Sequence, residues 1–131
     1  METHPRKTVP AGATQHVTAG PYSPVIEVDA RRLVVISGQV AVDLDGKAIG
    51  ATIEEQTEAT LANCRRQLAV AGCDLGDVFK VNVYLADLAE WTRFNAVYAA
   101  SIPAPLPVRT AVQAVLMNGY RVEIEMWAVK P

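Results

Sequence analysis

Arg109 stands in the run Val108-Arg109-Thr110-Ala111-Val112, and an arginine on an otherwise apolar strand face needs a partner. Glu123 and Glu125 stand two apart in Val122-Glu123-Ile124-Glu125, which puts both carboxylates on one strand face. The bland interpretation is a cross-strand salt bridge. Between the two runs lies Asn118-Gly119, a strong hairpin signal. In a hairpin centred there Ala114 faces Glu123, and Arg109 lies about 17 Å from that position at ~3.4 Å per residue, on the other face. The two groups then cannot pair within one chain unless a bulge intervenes. If both serve one site, that site is shared between subunits. The cysteines, Cys64 and Cys73, have neither a CxxC spacing nor a nearby His pair, so they suit neither a disulfide framework nor a zinc site and read as small apolar fillers.

The elements that must position these groups follow from periodicity. Arg32 to Gly38 is a β-branched apolar run, and Asp45-Gly46 supplies a turn before Lys47-Ala48-Ile49, which predicts a strand followed by a hairpin. After Gly50 the period changes. Ile53, Thr57, Leu61, Cys64, Leu68 and Ala71 form one helical stripe, opened by a Thr52/Glu55 capping box and closed by Gly72. Val78 to Leu85 alternates, with Phe79, Val81, Val83 and Leu85 on one side and Lys80, Asn82 and Tyr84 on the other. Asp87 and Glu90 signal a second helix containing Trp91, Phe94, Val97 and Tyr98, which ends before Pro103, Pro105 and Pro107. Strands over Val108–Leu116 and Arg121–Val129 complete the chain.

Helical crossovers between strands imply parallel neighbours. The expectation is an α+β domain: a mixed sheet of about six strands with two helices on one face. Neither face of the final hairpin is cleanly polar, and two helices cover only one, so the other is expected to pack on a second copy of the chain. Residues 1–12 show no periodicity and are expected as a flexible lead-in to a single domain over 13–131.

Composition narrows the partners. The 131 residues are 50% hydrophobic and 20% charged, enough for one domain with its own core. Net charge is −2 and basic residues never run longer than two, which argues against nucleic acid. The sequence has no apolar leader-like segment at its start and no span of eighteen apolar residues, so a cytoplasmic protein without membrane contact is expected.

Several strings occur together in a familiar order: Gly20-Pro21-Tyr22-Ser23, Ser37-Gly38-Gln39, Asp77-Val78-Phe79-Lys80-Val81, Phe94-Asn95-Ala96-Val97-Tyr98, Pro107-Val108-Arg109-Thr110-Ala111-Val112 and Val122-Glu123-Ile124-Glu125. Through them the chain resembles the Rid (YjgF) family of enamine/imine deaminases over residues 15 to 130. The resemblance implies a chorismate-mutase-like fold, a homotrimer and a small pocket at each subunit interface. It also implies hydrolysis of reactive 2-imino or enamine acids such as 2-aminoacrylate to a 2-keto acid and ammonia, without cofactor or metal. Arg109 matches the family's carboxylate-binding arginine, and Glu123 its water-orienting, proton-shuttling glutamate. Tyr22, Ser37, Gly38 and Asn95 match further pocket positions.

The chain departs from the family where Pro24, Ala41 and Ala111 replace a frequent glutamine, proline and occasional cysteine. Its loop from Tyr98 to Arg109 is also shorter than usual. These differences bear on substrate range more than on fold. The alternative to an enzyme is a protein that binds small carboxylates without turnover, or a chaperone-like surface, on the same fold. Retention of both Arg109 and Glu123 favours the enzyme, because carboxylate binding alone needs no second carboxylate. A ribonuclease, a label some of the family carries, is disfavoured by the charge balance.

Overall fold

A computed structural model describes residues 3–17 and 20–131. Its elements are β1 (Lys7–Thr8), β2 (Glu27–Val28), β3 (Leu33–Gln39), α1 (Ile53–Val70), β4 (Val78–Leu85), α2 (Trp91–Ser101), β5 (Val108–Gln113) and β6 (Val122–Val129). Both helices pack on one face of a four-stranded mixed sheet of order β3-β6-β4-β5, an α+β arrangement. The expected single sheet of about six strands does not form, since the main sheet has four. β1 and β2 form a separate antiparallel pair among the described residues, and the Asp45-Gly46 hairpin closes only as a single bridge between Val42 and Ala48.

α1 forms where its local signals place it. Thr52 Oγ1 accepts from the Glu55 N–H while the Glu55 carboxylate accepts from the Thr52 N–H, so two orphan donors of the first turn are satisfied. At the other end Gly72 takes φ +78°, Gly72 N–H bonds Ala69 O, and Cys73 N–H bonds Leu68 O. The stripe from Ile53 to Leu68 is buried against β6 and β3, with Ile53, Cys64 and Leu68 fully enclosed. Burial pushes the Cys64 thiol up to about 12, which makes it an inert filler.

The expected β5–β6 hairpin does not form. β5 pairs parallel with β4, Arg109 opposite Val81, and β6 lies on the other side of β4, running antiparallel to it and to β3. Asn118 and Gly119 do adopt φ 55° and 71°, yet they sit in a 3-10 turn within a longer connection that carries the chain past the C-terminal end of β4. β6 explains the choice. Its alternate residues Val122, Ile124, Met126 and Ala128 are wholly buried, and a strand of that kind gains most at the centre, paired on both sides. β5, whose Thr110 and Gln113 are exposed, occupies the edge.

Two further expectations are corrected. In β4 a bulge opposite Trp127 puts Val78, rather than Phe79, on the core side with Val81, Val83 and Leu85. The stretch 3–8 is no loose lead-in. β1 pairs with β2, His4 Nε2 meets Asp77 Oδ1 at 2.7 Å, and Lys7, 2% exposed, donates from Nζ to Gly76 O (3.0 Å) and Val78 O (2.5 Å). Period-based reasoning misses a two-residue strand because it repeats nothing.

Candidate active site

The sheet separates the sequence-derived site residues into two groups. Arg109 projects from β5 to the helix-covered face, beneath α2. Because Trp91, Phe94, Asn95 and Tyr98 recur at helical spacing, α2 presents three rings and one amide to the same spot. The Arg109 Cζ lies 4.8 Å from the Tyr98 ring centroid, 5.2 Å from Trp91, 5.5 Å from Tyr22 and 5.7 Å from Phe94. Each such approach of a cation to a ring face is favourable by about 0.5–2 kcal/mol. Nη1 donates to Asn95 Oδ1 at 2.8 Å, while Nε and Nη2 are buried with no hydrogen-bond partner among the described residues. Arg109 is only 8% exposed, and no carboxylate of the described residues pairs with it.

That is an unusual state for a charge. Desolvation lowers the proton affinity of the guanidinium, an effect partly offset by Tyr98 and Tyr22, but an arginine stays cationic regardless. Nε and Nη2 form the side-on fork that grips a carboxylate through two parallel bonds. Arg109 therefore presents a dry, fixed, bidentate anion donor. Tyr22 enters from the segment before β2, which is fastened to the chain just ahead of β5: Ser23 N–H bonds Pro107 O at 3.1 Å and Ser23 Oγ bonds Leu106 O at 2.6 Å.

The second group lies on the uncovered face. Glu123, on β6 opposite Tyr84, points there together with Glu125 and Trp127. Gly38 at the end of β3 packs against Glu123 so closely that a Cβ at position 38 overlaps the carboxylate and comes within 3.0 Å of its Cδ. Ser37 beside it is exposed. Of the two carboxylates Glu125 is the committed one: its Oε1 accepts from Tyr84 Oη at 2.6 Å and Asn82 Nδ2 at 3.0 Å, and Tyr84 first, then Asn82, holds its pKa below the ordinary value. Glu123 has no comparable partner among the described residues.

Arg109, Asn95 and Tyr22 thus come together, as do Glu123, Gly38 and Ser37. The groups do not meet within one chain. Two inter-strand steps of ~4.8 Å separate β5 from β6, and the sheet itself lies between the two side chains. Placement on opposite faces agrees with the expectation from the sequence, although it arises from pairing through β4 and not from a hairpin. Sequence reasoning does not assign Trp91, Phe94 and Tyr98 to the arginine. Their spacing is the available signal, but a core stripe produces the same one. Ala111, two residues after Arg109 on the same face, packs against the core. Among the described residues no helix is long and apolar enough to cross a membrane.

Comparison with known proteins places this geometry in context. A family model described as Endoribonuclease L-PSP matches residues 13–130. A mouse protein named 2-iminobutanoate/2-iminopropanoate deaminase is 40% identical over 113 residues, covering 85% of this chain and 82% of its own. The mitochondrial protein mmf2 of Schizosaccharomyces pombe is 36% identical over 126 residues, covering 93% and 98%. Among solved structures, a member of the YjgF protein family from Neisseria meningitidis superposes with a TM-score of 0.69 at 34% identity, covering 87% of this chain and 91% of that one.

Proposed function

Since the chain belongs to the endoribonuclease L-PSP family, also called YjgF/Rid, we propose that it hydrolyses small reactive 2-imino and enamine acids to 2-keto acids and ammonia. The observation that carries this reading is the buried Arg109 fork, Nε and Nη2, which has no acceptor among the described residues and lies inside an aromatic cage. A 2-imino acid offers a carboxylate for that fork and an electrophilic carbon one bond away. The names of relatives such as the mouse deaminase point to the same substrate class.

In the proposed reaction the carboxylate seats on Arg109, whose orientation Asn95 fixes through Nη1, with the Tyr22 ring as a wall. An enamine first tautomerises to the imine. Glu123 then accepts a proton from water as the water oxygen bonds to C2 of the protonated imine and the C=N electron pair moves to nitrogen, giving a neutral carbinolamine. The same carboxylate returns the proton to nitrogen, the C2–N bond breaks, ammonia leaves and the hydroxyl proton is lost to form the ketone. Ser37 and Gly38 border Glu123. No metal or cofactor enters this balance.

Arg109 and Glu123 lie on opposite faces of one sheet, so the proposed pocket draws Arg109 from one subunit and Glu123 from the next. The uncovered face suits such an assembly. Val35 is 59% exposed and Leu33 52%, beside the half-buried Trp127, and burying such a surface drives association. A homotrimer of chorismate-mutase-like form in the cytoplasm completes the proposal. A monomer in sedimentation equilibrium at micromolar concentration overturns the shared pocket.

The direct test is ammonia and keto-acid release from 2-aminoacrylate, generated in place by a serine dehydratase, with wild type beside Arg109→Ala. Acceleration by wild type alone is expected. No acceleration, with the oligomer intact, overturns deamination of this substrate. Incubating the same preparation with RNA separates deamination from the ribonuclease activity in the family's name.

A further inference from the structure

Gly20 lies against Nη2 of Arg109, one of the two guanidinium nitrogens without a hydrogen-bond partner among the described residues. A Cβ built there comes within 2.9 Å of Arg109 Nη2, 3.4 Å of Asn95 Nδ2 and 3.6 Å of Trp91 Cζ2. What the glycine supplies is room: a side chain at position 20 presses on the buried Nη2, for which the described residues offer no acceptor. The turn closes on itself through Tyr22 N–H to Gly20 O at 2.8 Å, and Gln15 Nε2 also donates to Tyr22 O. It is anchored at Ser23, which is bonded to Leu106 and Pro107. The anchor therefore belongs to the same stretch of chain that carries Arg109.

We infer that the Gly20–Tyr22 turn is a specificity-determining cover on the Arg109 fork, displaced by a ligand that brings two acceptor oxygens, so that the site takes free carboxylates and discriminates against their esters and amides. This rests on Arg109 being the carboxylate-binding group. The selection follows from donor accounting. A carboxylate satisfies Nε and Nη2 together, by charge-assisted bonds, which compensates for lifting the turn. An ester or amide carbonyl satisfies one donor and leaves the other buried and unpaired beside a displaced main chain. Gly20 is thus a positioning residue that acts through Arg109, and alanine at position 20 must push either the turn or the guanidinium. Asn95 and the three rings of α2 hold the guanidinium, so the turn is the part that gives.

Two measurements on the full chain test this. In the first, phenylglyoxal labels arginines and peptide mass spectrometry follows each rate, with the exposed Arg31 and Arg32 as internal references. Arg109 in wild type should react at least roughly tenfold more slowly than Arg31, and Gly20→Ala should raise its rate about fivefold or more. Equal rates for Arg109 and Arg31 in wild type overturn the cover, whatever Gly20→Ala does to folding. In the second, Trp91 fluorescence in a Trp127→Phe background reports binding of pyruvate and methyl pyruvate. Pyruvate should bind about 100-fold more tightly, with the ratio narrowed in Gly20→Ala. A preference for pyruvate that Gly20→Ala leaves unchanged overturns the cover and leaves the carboxylate site standing, whereas comparable binding of the two ligands overturns the carboxylate role of Arg109 together with the selectivity. Absence of pyruvate binding overturns the carboxylate site itself, and the inferred selectivity with it.

Discussion

On the helix-covered face of the sheet, Arg109 is 8% exposed, surrounded by four aromatic rings and bonded once, to Asn95. On the open face Glu125, partly exposed, is bonded twice, by Tyr84 and Asn82. The more deeply buried charge is the less satisfied one, the reverse of what stability alone selects. Glu125 behaves as a structural carboxylate whose partners match its needs. Arg109 has no such match among the described residues, and in the proposed function its cage keeps it oriented and dry for a ligand carboxylate. Glu123, on the face of Glu125 but lacking such partners, resembles Arg109 in this respect.

The sharpest way to break the comparison is Arg109→Met. It should abolish deamination while raising stability by about 1–3 kcal/mol, because a fitted apolar side chain replaces an unpaired buried cation. Parallel urea titration and ammonia-release assays check both. A variant that loses stability shows that the cage stabilises the charge after all. Glu123→Gln should lower turnover by roughly 10²–10⁴-fold with pyruvate binding retained, as expected on losing an acid/base group. Turnover like that of wild type removes Glu123 from the mechanism.

Gly38→Ala comes next, since its Cβ overlaps the Glu123 carboxylate and some shift is compulsory. A displacement of ~1 Å at a reacting group costs up to about 10²-fold, so kcat should fall with little change in KM. An equal rise in KM assigns Gly38 to carboxylate binding instead. The smallest effect concerns Tyr84→Phe. Glu125 is held below its usual pKa, first by the Tyr84 hydroxyl. The folded chain therefore binds fewer protons than the unfolded one just below the ordinary carboxylate pKa of about 4.3. The resulting stability is present above that pH and is lost as pH falls through the folded value. Tyr84→Phe should flatten the acid limb of urea midpoints plotted against pH. An unchanged slope removes this bond from the acid response.

The local features of the chain are legible in its residues. Thr52, Glu55 and Gly72 bound α1, and the alternation from Val78 to Leu85 marks β4, because caps and alternation act within a few residues. An arginine on an apolar run and two glutamates two apart mark the groups on which the proposed chemistry rests. What is not legible is which strand lies beside which. Asn118-Gly119 bends the chain as its residue types require, with both φ values positive, but a local bend does not choose between pairing β6 to β5 and sending it across to β4.

That choice belongs to the whole core. β6, with every second residue buried, is most stable between two neighbours, and the crossover through α2 places β5 on the far edge of β4. The same pairing seats Arg109 under Trp91, Phe94 and Tyr98, turning what a sequence presents as an ordinary apolar stripe into an aromatic cage. Propensity, capping and periodicity are short-range, so the amino-acid order alone dictates the elements and the types of reactive residue they carry. Burial and strand pairing are long-range, so the faces those residues share, and the charge that is left without a partner, emerge only when the sheet and both helices have packed together.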